Sequence, residues 1–485
     1  MSLQRSDSTR AEDENAPVIP HKETAGGAGS LEAAIENEPN KVKRVLKVLG
    51  PGLITGASDD DPSGIGTYST AGASLGFSTL WLALVTYPMM AVVQFICAKI
   101  GMVSGQGLAS ILRNHYSRWV LYPAVLALVV ANTINAGADI GAIAAAINLL
   151  LPIPIWVMII PISLLILTLQ IWGSYRLIAN IFKWLTLALF AYIGSAFFSN
   201  PNWSDVLHGT LIPSFSFDGH FLSILVAILG TTISPYLFFW QADQEVEEEI
   251  SRGRKRLWER KGATDKELKY AVWDVNIGML FSNLVMYFII LSTAATLFTH
   301  GKHDIQSATD AAQALQPIAG AAAGLLLALG LIGSGLLAVP ILTGSAAYAV
   351  AEMFGWRHGL DEKPGRTKQF YAVIAAATII GMLINFVGIN PIDALFWTAV
   401  INGVLAPPLL VIIMLVANNK TVMGKRVNNR WSNAVGWLTT AVMFAAAIGL
   451  FLTWGQLPTI IRAAARPVDR GGRRGGRGRG QPATR

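Results

Sequence analysis

The sequence contains a single cysteine, Cys97, among its 485 residues. One thiol cannot form an intramolecular disulfide or a cysteine metal cluster, so neither kind of stabilisation is expected, and Cys97 is predicted to be a packing residue. Charge is also scarce, because only 14% of the residues are Asp, Glu, Lys or Arg. No polar stretch long enough for an aqueous domain interrupts the apolar part of the chain, which excludes a soluble multidomain protein.

Apolar residues are abundant instead, at 53% of the chain. They form runs that match the roughly 20 apolar positions a membrane-spanning helix needs. The sequence predicts eleven such spans, numbered 1 to 11, near residues 47–72, 79–100, 119–149, 153–172, 177–199, 219–243, 272–299, 318–350, 369–388, 391–416 and 434–454. The fold class is therefore an all-α integral membrane protein.

Basic residues collect before the odd-numbered spans, whereas the opposite loops contain almost none, with Lys302 as the exception. Because Lys and Arg accumulate on the cytoplasmic side, this pattern predicts a plasma (inner) membrane protein with a cytoplasmic N-terminus. Residues 1–44 are polar and lack the apolar core of a signal peptide, so we expect a disordered cytoplasmic segment without a cleavable signal. The transmembrane domain is assigned to residues 45–460.

Residues 461–485 form a basic tail rich in Arg and Gly, and most of the net charge of +7 comes from this tail and the loops. An odd number of spans places the tail outside the cell, whereas basic tails prefer the cytoplasm, so either a span is missed or the tail crosses. Such a tract can bind RNA or acidic lipid, but a solvated disordered tail is the preferred interpretation, and no specific nucleic acid partner is inferred.

Three consecutive carboxylates, Asp59, Asp60 and Asp61, lie inside span 1 and are followed by Pro62 and Gly64. Charges at membrane depth are costly unless they face protein or water, and Pro62 interrupts the helix at the same point. The pattern predicts that span 1 is broken and directs carboxylates and free backbone groups at an ion.

Span 6 has a matching interruption at Pro235, where Gly230, Thr231, Thr232 and Ser234 supply oxygen atoms around the break. Two broken helices five spans apart are the pattern of inverted repeats with a substrate site between them at mid-membrane. The predicted repeats cover residues 47–199 and 219–416, with span 11 at 434–454 as an additional helix.

The motifs at these positions resemble the Nramp family of divalent metal transporters over roughly residues 45–415. The resemblance is carried by GPGLITGASDDDPSG at 50–64, AKIGMVSG at 98–105, AINLL at 146–150, the span 6 break, and NFVGINP at 385–391. It implies the leucine-transporter-type fold of two inverted five-helix repeats. It also implies a metal site made of an Asp-Pro-Gly-Asn motif on helix 1 and a Met-Pro-His motif on helix 6.

The chain departs from both motifs. Asp61 and Pro62 match the first, but Ser63 and Gly64 follow, and the second motif becomes Ser234-Pro235-Tyr236. Loss of the thioether removes a soft ligand that suits transition metals, while oxygen ligands suit hard cations. Mg²⁺ keeps several waters and needs only one or two carboxylates, which a wider site permits. The chain therefore resembles the Nramp-related magnesium transporters more closely than the manganese and iron carriers.

The resemblance implies Asp61 as the anionic ligand, acting directly or through water. The carbonyls of Ser58 and Thr231 are expected to point at the ion, the hydroxyls of Ser234 and Thr231 are further candidate ligands, and Gly64 supplies space. Asp59 and Asp60 either line an external vestibule that concentrates cations or lie at the water boundary. Asn402 in span 10 either projects its amide into the site or makes a hydrogen bond between helices.

For proton coupling, Ala136 occupies one acidic position of the family, Asp139 retains the other, and Tyr236 replaces the His. Because a tyrosine is a poor proton relay at neutral pH, we expect uptake driven by membrane potential without strict proton coupling. The acidic and basic segment 241–261 predicts a cytoplasmic helix that extends span 6, either with a gating role or with opposite charges paired on a solvated face.

Three alternatives stay open. The chain could be a proton-coupled Mn²⁺ or Fe²⁺ carrier of the same family, or a sodium-coupled symporter of organic solutes, although the carboxylates of span 1 would repel an acidic substrate. An intramembrane aspartyl protease would need two facing carboxylates, for which Asp61 and Asp139 are the candidates. The preferred interpretation is a transporter rather than an enzyme, with Mg²⁺ or Mn²⁺ as substrate, no cofactor and no obligate protein partner.

Overall fold

The computed structural model describes residues 50–173, 186–360 and 362–454, and within these ranges the chain is helical without a β-strand. The long uninterrupted helices are Trp81–Ser104 (span 2), Arg118–Leu150 (span 3), Ile155–Trp172 (span 4), Asp265–Thr296 (span 7), Ala323–Phe354 (span 8), Lys368–Ile384 (span 9), Pro391–Asn418 (span 10) and Arg430–Thr453 (span 11). The predicted disordered segment 1–44 and the tail 461–485 lie outside the described residues.

The remaining helices are shorter. The α-helices among them are Leu108–His115, Ala191–Phe198, Trp203–Leu211, Leu257–Arg260, Ala308–Ala312, Gln316–Ala319 and Lys420–Met423. The 3-10 turns are Gly76–Thr79, Thr186–Phe190, Phe298–His300, Gln313–Leu315, Gly320–Ala322 and Asn385–Val387.

In the described part of the chain, nine helical stretches are long and apolar enough to cross a membrane. They correspond to predicted spans 2–4 and 6–11. Span 1 is divided into two helices, each too short to cross alone, and the predicted span 5 falls partly outside the described residues, with the apolar stretch Ala188–Phe198 as its described portion. The all-α membrane architecture is thus confirmed.

Span 1 breaks at the predicted position. Half-helix 1a covers Pro51–Asp59 and half-helix 1b covers Pro62–Leu75. Pro62 occupies the first turn of 1b, where a missing N–H costs nothing, and Asp61 is the N-cap whose carboxylate accepts from the Gly64 amide. Half-helix 1a thus ends at Asp59 with Asp60 as its C-cap, and 1b begins immediately afterwards with Asp61 as its N-cap.

Span 6 breaks in the same manner. Half-helix 6a covers Gly219–Thr232, and half-helix 6b, with Pro235 in its first turn, covers Pro235–Ser251. Ser234 is the N-cap of 6b, but its hydroxyl makes no capping bond. The hydroxyl instead lies within hydrogen-bonding distance of the carbonyls of Gly230 and Thr231, at 2.9 and 2.7 Å, on the 6a side of the break.

The segment 241–261 corrects one expectation. Half-helix 6b continues to Ser251 only, and Arg254 ties its end to span 7 through Glu249 and Glu267. The acidic side chains at 243, 245 and 249 are buried rather than solvated. The paired-charge interpretation holds for the contact of Arg252 with Glu248, but the solvated face was wrong because spans 2 and 8 pack against this helix.

Glycine allows half-helix 6a and span 10 to approach within backbone contact. A Cβ added to Gly230 would lie 2.1 Å from the Ala399 carbonyl oxygen, and one added to Gly403 would lie 2.3 Å from that of Val226. Small residues permit such close packing in membranes, where dispersion contacts rather than the hydrophobic effect hold helices together.

We predict that Gly230→Ala destabilises the fold, because neither backbone can retreat from the added methyl group. The expected cost is about 1–3 kcal/mol, as for overpacked cores, and it is measured as a lower midpoint of thermal unfolding in detergent. Gly324→Ala is the matched control, since its Cβ would meet the nearest atoms at an ordinary 3.5 Å. Equal midpoints for the two variants would contradict the predicted close contact.

Candidate functional site

Asp61 lies between the two halves of span 1 and is fully enclosed by protein. Its Oδ1 accepts hydrogen bonds from the Gly64 amide at 2.7 Å and from the Ser63 hydroxyl at 2.6 Å. Its Oδ2 accepts from Nδ2 of Asn135 in span 3 at 3.1 Å. The carboxylate is thus fixed by three donors and keeps lone pairs that a cation or its water can use.

The carbonyl of Ser58, predicted to face the ion, already has a partner. The Tyr236 hydroxyl of half-helix 6b donates to it at 3.0 Å. Tyr236 occupies the position of the histidine in the family motif. Its hydroxyl is a hydrogen-bond donor and lies against the Ser58 carbonyl oxygen, which the break in span 1 leaves without a helical partner. The contact also joins the two broken helices.

The second predicted carbonyl is engaged as well. Ser234 Oγ lies 2.7 Å from the Thr231 carbonyl and 2.9 Å from that of Gly230, and its single proton can serve one of them at a time. The Thr231 hydroxyl oxygen, by contrast, is buried without a hydrogen-bond partner among the described residues.

Gly64 brings the two breaks together. A Cβ at this position would lie 3.0 Å from Thr231 Oγ1 and 3.4 Å from the Asp59 carbonyl oxygen. Asn402 lies in the neighbouring part of span 10, next to the close contact between Gly403 and half-helix 6a. Its Nδ2 is buried and has no partner among the described residues, so no hydrogen bond between helices is assigned to that amide.

Asp59 and Asp60 do not lie at a water boundary or in an open vestibule. They are 0% and 1% exposed, and both face Ser282 of span 7, whose hydroxyl donates to Asp59 Oδ2 at 2.6 Å and lies 3.2 Å from Asp60 Oδ1. Both predicted positions assumed that charged side chains face water. In the structure, span 7 covers this face of half-helix 1a instead.

Two polar residues of span 3 complete the surroundings of Asp61. Asn135 is its direct hydrogen-bond partner, and Asp139 follows one helical turn later on the same face, with both carboxylate oxygens buried and unpartnered among the described residues. Asn135 was missed at the level of sequence. Its signal was an amide four residues before a carboxylate inside an otherwise apolar span.

These side chains concentrate unpaired polar atoms around the breaks of spans 1 and 6. Those of the described residues include Asp59 Oδ1, Asp60 Oδ2, Asn135 Oδ1, both oxygens of Asp139, Thr231 Oγ1 and Asn402 Nδ2. No group of three or more His, Cys, Asp or Glu in this part of the chain is arranged to hold a metal directly. Apart from Asn402 Nδ2, which can only donate a hydrogen bond, these atoms are oxygens, and none is a thiol or imidazole. Such a set suits a hard cation that brings part of its own water.

Comparison with known proteins identifies related sequences. The family model described as natural resistance-associated macrophage protein-like (Nramp) matches residues 52–453. A relative from Klebsiella pneumoniae subsp. pneumoniae, named divalent metal cation transporter MntH, is 27% identical over 419 residues, which are 84% of this chain and 95% of the relative.

Solved structures show the same fold. The Eremococcus coleocola manganese transporter superposes with a TM-score of 0.67 at 19% identity, covering 94% of this chain and 92% of that one. Mhp1, a nucleobase-cation-symport-1 family transporter, superposes with a TM-score of 0.53 at 14% identity, covering 86% and 93%. The chain therefore has the leucine-transporter-type fold, as the family resemblance implied.

We predict that Asn135→Ala weakens cation binding at Asp61, because the carboxylate loses one of the donors that orient it. Loss of a group that orients a metal ligand costs about 10–100-fold in affinity. Binding of Mn²⁺ and Mg²⁺ to the detergent-purified protein is measured by titration calorimetry. Asn148→Ala, which loses only a contact with the Ile153 carbonyl near the end of span 3, serves as control. Unchanged affinity in Asn135→Ala would remove Asn135 from the site.

Proposed function

This chain belongs to the Nramp family, and on that premise we propose that it carries divalent metal cations across the membrane, with Mg²⁺ as the preferred substrate and Mn²⁺ as a second one. Asp61 is the anionic ligand, which acts directly or through water. The Thr231 hydroxyl and the side-chain carbonyl oxygen of Asn402 contribute to the second side of the ion, directly or through water, and Gly64 leaves room for retained water.

One observation supports the preference for Mg²⁺. The Ser58 carbonyl accepts from Tyr236, and Ser234 lies against the Thr231 carbonyl, so hydroxyl groups of the protein occupy the backbone oxygens that would otherwise replace water on the ion. The family's Met and His positions are Ser234 and Tyr236 here. A cation that sheds water reluctantly loses little in such a site, whereas one that relies on soft ligands gains nothing.

We further propose that the protein resides in the plasma (inner) membrane with its N-terminus in the cytoplasm, and that membrane potential drives uptake. A divalent ion that crosses about 100 mV gains roughly 4.6 kcal/mol, which suffices for accumulation of about a thousandfold without a co-transported proton. The metal is substrate in this scheme, and neither a cofactor nor a partner subunit is needed.

Proton-coupled transport of Mn²⁺ or Fe²⁺ is the second candidate, and Asp139 is the observation that favours it. Its buried, unpartnered carboxylate lies one helical turn from Asn135, the partner of Asp61. The sodium-coupled symporter and the intramembrane protease receive no comparable support, because the family match covers both broken helices. Loss of Asp139 would abolish a protease but only perturb a carrier.

We predict that proteoliposomes with an inside-negative potential take up Mg²⁺ and that Asp61→Ala abolishes this uptake, because the site loses its anionic ligand. Trapped magnesium and pH indicators are read together, with Mn²⁺ tested in parallel and Asp205→Ala, an exposed carboxylate, as control. Uptake without internal acidification agrees with potential-driven transport.

Acidification that accompanies ion entry and disappears in Asp139→Asn would establish proton coupling instead. Entry of Mn²⁺ alone would show that the preference for Mg²⁺ is wrong. Entry of neither ion would reopen the organic-solute alternative.

We predict that Tyr236→Phe raises the ratio of Mn²⁺ to Mg²⁺ uptake, because the Ser58 carbonyl becomes free to replace a water on the ion. A hydrogen bond is worth about 1 kcal/mol, so the ratio should shift by up to about tenfold. Competition between the two ions in proteoliposomes measures the shift. Tyr87→Phe, which removes a hydroxyl that contacts Asn276 in span 7, is the matched control. An unaltered ratio would mean that Tyr236 does not set ion preference.

A further inference from the structure

Span 7 follows half-helix 1a along its whole length. Three residues of span 7 face it at intervals of four, namely Asp274, Gly278 and Ser282. Residues four apart lie on one face of a helix, and eight residue steps advance the axis by about 12 Å. Half-helix 1a, from Pro51 to Asp59, has the same axial length, so this stripe of span 7 contacts 1a from its first residue to its last.

Asp274 contacts the beginning of half-helix 1a. Its buried carboxylate accepts from the amides of Gly50 at 2.9 Å, Gly52 at 2.7 Å and Leu53 at 3.0 Å. The first amides of a helix have no partner within the helix, and a negative charge there is favoured by the helix dipole. A residue 221 to 224 positions away in the sequence thus caps 1a, whose own N-cap Gly50 makes no side-chain capping bond.

Gly278 contacts the middle of half-helix 1a. A Cβ on Gly278 would lie 2.3 Å from the Gly52 carbonyl oxygen, and a Cβ on Gly56 would lie 2.2 Å from the Gly278 carbonyl oxygen. The two backbones therefore touch, and neither glycine can gain a methyl group without moving one helix away from the other.

Ser282 contacts the end of half-helix 1a, where the chain leaves the helix toward Asp61. Its hydroxyl donates to Asp59 and lies near Asp60. The contact is buried and uses the two carboxylates immediately before the proposed ligand. Ser58 and Asp61 flank these two carboxylates, so the contact with Ser282 lies directly beside both residues.

We propose that the stripe Asp274, Gly278 and Ser282 is a positioning element of the cation site, which sets the axial position of half-helix 1a and thereby the distance of Ser58 and Asp61 from span 6. The three residues contact the half-helix that carries the site, and they do not themselves bind the ion, which Asp61 ligates. This proposal rests on the proposed function in one respect, because it assumes that the cation binds at Asp61.

The stripe has a physical advantage over apolar packing for this task. The three backbone amides that donate to Asp274 and the Ser282 hydroxyl that faces Asp59 and Asp60 make directional contacts. Such contacts specify one axial register of half-helix 1a against span 7. Apolar side chains of similar area would allow the half-helix to slide by fractions of an ångström. Metal ligation tolerates little displacement, since ligand distances are defined within about 0.2 Å.

The test uses Asp274→Asn, Gly278→Ala and Ser282→Ala in the full chain. Each variant is expected to raise the KM for Mg²⁺ uptake and the Kd for Mn²⁺ by about 10–100-fold, the usual effect of losing a group that orients a metal ligand, while the maximal rate per folded protein changes less. Leu280→Ala, on the lipid-exposed face of span 7 at 44% exposure, and Gly324→Ala are controls that should leave both constants unchanged.

A second readout does not depend on transport. Since Cys97 is the only cysteine, a Cys97→Ala background carrying Ala57→Cys reports on half-helix 1a through its rate of labelling by a water-soluble maleimide. Each stripe variant should accelerate labelling and the controls should not. If the protein bound and carried no cation, the proposed function would fail while this measurement still tested the positioning.

Two results would overturn the proposal. In the first, stripe variants lower the yield of folded protein but leave KM, Kd and the labelling rate unchanged, which is what a purely structural contact would do. In the second, the KM of Asp274→Glu is raised as much as that of Asp274→Asn although both variants fold. A positioning carboxylate should be partly replaceable by another carboxylate, so Asp274→Glu should have the lower KM of the two.

Discussion

The structure depends on keeping four buried carboxylates, Asp59, Asp60, Asp61 and Asp139, at the middle of a membrane protein. An unpaired charge in a medium of low polarity costs several kcal/mol, so each oxygen needs a donor, a proton or a cation. A continuous helix offers no free backbone amides there. Breaking span 1 supplies the Gly64 amide to Asp61, and the neighbouring spans supply Asn135 and Ser282. Oxygens still without donors are those available to an ion and its water.

Proline alone does not explain where the helices break. Prolines also lie inside spans 2, 3, 4, 8 and 10, which continue through them. Pro62 and Pro235 differ in standing at the first position of a new helix, after an Asp or a Ser in extended conformation at the N-cap, although only Asp61 makes a capping hydrogen bond. This local chemistry is visible in sequence, which is why both breaks and the fold class were predicted at the correct residues.

The partners of the site could not be predicted in the same way. The Tyr236 hydroxyl reaches Ser58 across 178 positions, and Ser282 reaches Asp59 across 223. Such contacts depend on how the helices are rotated and shifted along one another, and periodicity in a fully apolar span contains little information on either. Asp59 and Asp60 illustrate the limit, because their charge indicated water while their actual surroundings are decided by the face that span 7 presents.

Under the proposed function, the oxygens that are already occupied by hydrogen bonds determine ion selectivity as much as the oxygens that are free. A transition metal is favoured where soft ligands displace its water, yet here the backbone oxygens at both breaks are held by hydroxyls from the positions where the family has soft or imidazole groups. An ion must break these hydrogen bonds to ligate directly, or keep its water and accept a longer contact to Asp61. The second course costs least for the cation that holds water most tightly, so internal hydrogen bonds act against the competing ions.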